Sequence, residues 1–121
     1  MRDFRKLDIW KAGIDLVKQI YDLTRGFPSS EFYGLTNQMR RASVSLPSNI
    51  AEGASRKSNT DFARFLEITL GSSFELETQL IISNDLEYIK QEDFEKIIVK
   101  LHSFQKQLNS LLTKVRSDKV L

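Results

Sequence analysis

Ten lysines and arginines fall within the first sixty residues against six acidic groups, while residues 61–121 hold eight against ten. The basic side chains are the groups best able to act on another molecule. Arg2, Arg5, Lys6, Lys11 and Lys18 gather near the start, and Arg40, Arg41, Arg56 and Lys57 surround the next amphipathic segment. Charges spread in this way suit phosphate neutralisation, which tolerates any sequence and weakens steeply with salt. No aromatic is clearly interleaved with them, so stacking on single-stranded bases is not indicated. Ordinary solvation of the same side chains is the competing reading, since the formal net charge is only +2.

Catalytic constellations are missing. The chain has one histidine, His102, and no cysteine, which excludes disulfides and thiolate metal sites. A di-iron bundle site needs Glu-x-x-His pairs, and Val99 stands three residues before His102. Glu75 and Glu77 lie two apart and project from different sides of a helix, which argues against a carboxylate pair. No phosphate-cradling G-x-x-x-x-G-K stretch and no nucleophile elbow occurs. The expectation is a protein that is not an enzyme, with no cofactor and no metal.

The elements that must carry the basic groups follow from periodicity. Apolar residues recur at alternating steps of three and four, which is helical spacing. The pattern predicts helices over about 8–25, 30–56, 59–84 and 91–116, with Asp8 as the first N-cap and Ser58, three residues before Asp61, capping the third. Short connections make neighbours antiparallel, so an all-α, up-down-up-down four-helix bundle is expected as a single domain over 1–121. Phe94, Ile97, Leu101, Phe104, Leu108, Leu111 and Val115 form the clearest core seam. The start MRDFRKLDIW has no apolar run for a signal peptide or membrane span, which favours a cytoplasmic protein without a membrane partner.

Two features exceed what one bundle requires. On the first helix Trp10, Ile14, Val17 and Tyr21 form one stripe and Ile9, Gly13, Leu16, Ile20 and Leu23 a second. On the third, Leu70, Phe74 and Ile81 lie a quarter-turn from the Phe62, Leu66, Leu76, Leu80 face. The surplus predicts a homo-oligomer with Ile9, Leu16, Ile20, Leu23, Leu70, Phe74 and Ile81 as interface candidates; a bundle with unusually central helices is the alternative. The other feature is RRASVSLPSNIAEG, residues 40–53, where Arg41, Ser45, Asn49 and Glu52 line a polar ridge beside a core face. Pro47 predicts a kink there, a helix restarting at Pro47 being the alternative. Folding the third helix back sets Arg41 opposite Glu75 and Glu52 opposite Arg64, with the small residues Gly71, Ser72 and Ser73 allowing close approach; solvated charges are the competing reading.

The strings QMRRASVSLPSNIAEG and GSSFELETQL, within a match running from residue 4 to about 90, resemble the bacterial four-helix-bundle family of 23S ribosomal RNA intervening-sequence proteins. The resemblance implies a left-handed bundle closing into a homopentamer, and related proteins accompany retroelement reverse transcriptases as accessory pentamers that bind nucleic acid. Two positions depart from the pattern. Thr69 stands where alanine is usual, and Glu87 replaces the glycine before Tyr88, removing the residue that favours a left-handed helix end. The functional expectation is an oligomeric bundle binding structured RNA or other nucleic acid without sequence preference. The alternative is an adaptor that docks another protein.

Overall fold

The computed structural model describes residues 2–118, and among these it contains helices and no strand. A short 3₁₀ turn, Phe4–Lys6, leads into α1 (Asp8–Thr24), followed by α2 (Asn37–Ala54), α3 (Asn59–Asp85) and α4 (Gln91–Asp118). Neighbours run antiparallel. Gly13 meets Pro47 while Tyr21 lies under Arg40, which sets α1 against α2. Met39 touches Ser83 and Gly53 touches Phe65, which sets α2 against α3. Glu77 reaches Gln105 and Glu67 reaches Arg116, which sets α3 against α4. The four-helix bundle expected from the periodicity is the fold.

The helix ends show which local signals hold. Ser58 caps α3 by accepting from the Asp61 N–H at 3.1 Å, as its spacing predicts. Asp8 does not cap α1: extended Leu7 occupies that position without a side-chain bond, and Asp8 is the first helical residue, where its charge favours the positive end of the helix dipole. The second helix does not start at residue 30. Residues Ser29–Glu31 form a 3₁₀ turn and Phe32–Thr36 a wider π-type turn, with Gly34 outside helical geometry at φ −105°, ψ −112°. The Glu31 carboxylate accepts from the Leu35 N–H at 3.2 Å, taking the donor that an α-helix would direct to the Glu31 carbonyl. From Asn37 the α-helix continues through Pro47 without a restart, and the proline ring is buried against Gly13.

The core runs the length of the bundle, with Leu16 and Ile20 from α1, Leu46 and Ile50 from α2, Leu66 and Leu76 from α3, and Leu101 and Leu108 from α4, all nearly inaccessible. Burying each such side chain contributes about 1.5–3 kcal/mol relative to leaving it in water. Three interface candidates are therefore corrected. Ile9, Leu16 and Ile20 are 5%, 2% and 0% exposed, covered by the chain's own helices and not available to a second copy. Leu23 and Leu70 are half-buried, whereas Phe74 and Ile81 stand exposed. On the other stripe of α1, Ile14 and Val17 are half-buried and Tyr21 is exposed. Of the small residues expected to allow close approach, Ser73 is fully buried, but a Cβ at Gly71 would meet nothing within 4 Å, and the tight contact between α2 and α3 lies at Gly53. No described helix is long and apolar enough to cross a membrane.

Candidate nucleic-acid interface

The basic residues separate into two places. At one end of the bundle the segment before α1 folds over the α2–α3 turn, because the Arg2 guanidinium donates to the Arg56 carbonyl oxygen at 3.2 Å and to the Asn59 side chain. The guanidinium lies 4.4 Å from the centre of the Phe62 ring. Phe4, edge-on to Trp10 at 5.3 Å, ties the same segment to α1. Arg56 and Arg64 both rest on the Phe65 ring, at 4.8 and 5.0 Å. A guanidinium held on an aromatic face keeps its full charge and loses side-chain freedom before any ligand arrives. Arg2, Arg56 and Lys57 thus meet at this end, with Arg5 and Lys6 on the adjoining 3₁₀ turn. Three carboxylates temper them: Asp3 pairs with Arg5, Glu52 with Arg56 at 3.1 Å, and Asp61 with Arg64 at 4.0 Å.

Those pairs revise the polar ridge. Glu52 pairs with Arg56 just past the end of α2 and Arg64 with Asp61 within α3, so the expected Glu52–Arg64 bridge is not formed, and no ion pair joins Arg41 to Glu75. The ridge is satisfied locally. The Ser45 hydroxyl donates to the Ala42 carbonyl at 2.7 Å, and the Asn49 amide donates to the Ser45 carbonyl at 2.8 Å. Lys11 and Lys18 remain exposed along α1.

The second place is a groove between the end of α1 and the start of α2, with a volume of about 770 Å³. Arg40 and Arg41 line it together with Tyr21, Phe32 and Tyr33, and Thr36, Asn37, Val44 and Ser45 complete the wall. Arg40 is fixed: its Nε donates to Thr24 Oγ1 at 2.9 Å, and its plane covers the Tyr21 ring at 4.6 Å. Arg41 is exposed. This juxtaposition escapes a reading by sequence proximity, because Tyr21 and Arg40 are nineteen positions apart and Phe32 and Tyr33 are aimed by the π-type turn. The one signal available was Gly34. The turn is pinned from outside as well, the Tyr88 hydroxyl donating to Glu31 Oε2 at 3.1 Å. That carboxylate holds the Tyr88 phenol above its usual pKa by favouring the protonated hydroxyl.

His102 lies on the opposite side, its Nε2 3.1 Å from Glu77, which also accepts from Gln105 at 2.9 Å. Among the described residues no group of three or more histidine, aspartate or glutamate side chains is arranged to hold a metal ion.

Comparison with known proteins adds a family. Residues 5–110 match the family model described as 23S rRNA-intervening sequence protein. Among solved structures, a protein of unknown function from the S23 ribosomal protein family of Bacteroides thetaiotaomicron VPI-5482 is similar, with a TM-score of 0.80 and 24% sequence identity. The match covers 87% of this chain and 95% of the other, and at that identity it speaks to the fold alone. No curated protein matches the chain.

Proposed function

Because the chain belongs to the 23S rRNA-intervening sequence protein family, we propose that it is a self-assembling, non-enzymatic bundle that holds structured RNA by its arginine-rich end. The observation that carries the reading is the docking of Arg2 onto the α2–α3 turn, which joins a guanidinium from the start of the chain to those of Arg56 and Arg64. Groups fixed on aromatic rings contact successive phosphates at little entropic cost, and the affinity so produced is electrostatic and indifferent to sequence. The apolar side chains left outside the bundle, Phe74 and Ile81 on α3 among them, supply the surface for assembly. A ring of copies, five in the arrangement the family resemblance implies, would repeat the basic end around one rim and multiply its hold on a folded RNA.

The test is fluorescence anisotropy with a labelled RNA hairpin at about 50 and about 200 mM salt, a range over which phosphate-driven affinity falls by orders of magnitude. Replacing the exposed Arg5, Lys6 and Lys57 together with glutamine is expected to lower the steepness of the salt dependence by about one for each phosphate contact removed. Absence of binding at the lower salt would overturn the RNA reading and leave the apolar faces as the working surface of an adaptor.

A further inference from the structure

We propose that the groove between α1 and α2 is a second, distinct site for unpaired nucleotides, its aromatic rings stacking on bases while Arg40 and Arg41 neutralise the adjoining phosphates. The proposal deepens the nucleic-acid function above and rests on it. It differs in what is recognised: the arginine-rich end offers charge, whereas the groove offers charge and planar faces together.

Three observations point to this occupant. First, the groove wall contains two guanidiniums and no carboxylate. Arg41 has no ion-pair partner among the described residues, in contrast to Arg5, Arg56 and Arg64 at the far end. Second, Phe32 and Tyr33 meet edge to face, with centroids 4.9 Å apart at 82°. Tyr33 is 89% exposed, so its ring face is open to a ligand. Third, the backbone that carries the rings is held. The Glu31 carboxylate accepts from both the Leu35 N–H and the Tyr88 hydroxyl, so the turn itself needs little ordering on binding. An acidic peptide would satisfy the two arginines and leave the rings idle. A nucleotide strand uses both, since every base has a face that stacks on an aromatic ring and every phosphate a charge to be neutralised. The volume of about 770 Å³ lies in the range of pockets that enclose small organic ligands.

The experiment compares three labelled probes on the full chain: a short single-stranded adenine oligonucleotide, an abasic strand of equal length, and an RNA hairpin. Tyr33→Ala is expected to weaken the adenine strand at least fivefold, the loss typical of one stacked base, and to leave the abasic strand unchanged. Tyr33→Phe keeps the ring and is expected to retain binding. Arg41→Gln should weaken both single strands alike. The proposal is overturned if Tyr33→Ala leaves the adenine strand as tight as before, if polyglutamate displaces that strand as well as unlabelled adenine strand does, or if Tyr33→Ala lowers the assembled mass by light scattering without changing strand affinity, which would give the groove to a second copy of the chain. Failure of the hairpin to bind wild-type protein would instead sink the function proposed above, and the adenine-to-abasic comparison would still be readable.

Discussion

Glu87 is the one described non-glycine residue with positive φ, at 64°. It occupies the left-handed end of α3 despite the side chain that argues against one. The hydrogen bonds explain why: the Tyr88 N–H reaches the Ser83 carbonyl at 2.9 Å and the Glu87 N–H the Asn84 carbonyl at 3.0 Å, the paired closure that ends helices in this way. Ile89 is then buried and Tyr88 packs on Phe27 at 5.5 Å, so tertiary contacts override the local preference. Glu87→Gly is expected to stabilise the protein by about 1 kcal/mol, read as a rise in the denaturant midpoint, because it relieves the Cβ crowding of that conformation. Glu77 gives a pH prediction. The Gln105 hydrogen bond, helped by His102 and opposed by partial burial, holds its carboxyl below the ordinary 4.5. A folded-state pKa below the unfolded one contributes stability that is present above about pH 4.5 and is lost as pH falls through the folded value. Gln105→Met should therefore shrink the drop in melting temperature between neutral pH and the acid range, and an unchanged drop would remove Gln105 as the cause.

At the scale of elements, the two glycines facing the α2–α3 contact and the outer face of α3 behave oppositely. A Cβ on Gly53 would sit 2.6 Å from Phe65 Cβ, so Gly53→Ala should cost about 1–3 kcal/mol through overpacking. Gly71 faces open space inside a helix, and Gly71→Ala should instead gain up to about 1 kcal/mol from helix propensity. Paired denaturation curves check both, and equal effects would contradict the register described. The sequence pattern reads the helices well where one face is steadily apolar: of the α4 seam, Ile97, Leu101, Phe104, Leu108 and Val115 are buried, while Phe94 and Leu111 are half-buried and Leu112 joins the core beside Leu111. It reads poorly where a side chain decides. A carboxylate returning to its own turn at Glu31 accompanies a start of α2 about two turns later than expected, and periodicity carries no trace of that. The polar ridge misleads for a similar reason, since Glu52 and Arg64 find partners close by in the chain, Arg56 and Asp61, and not across the gap.

For the whole molecule, surplus apolar surface is legible in the sequence but its location is not, because two adjacent stripes on α1 look equally greasy until α2 and α4 cover one of them. Phe74, at 51% exposure, and Ile81 remain outside. Phe74→Ser combined with Ile81→Ser is expected to lower the assembled mass by light scattering while leaving the melting temperature nearly unchanged. Leu16→Ala should do the reverse, destabilising the fold by about 2–5 kcal/mol. The candidate RNA surface was only half visible, its charges countable and their division into two sites dependent on the fold. The contact between Phe4 and Trp10 carries one more consequence, because Trp10 is the chain's only tryptophan. Its emission colour is an inbuilt gauge of whether the leading strap is seated, so a duplex gripping that rim should tint the fluorescence, while an occupant beside Tyr21, about 16 Å farther along the same rod, should leave it untinted.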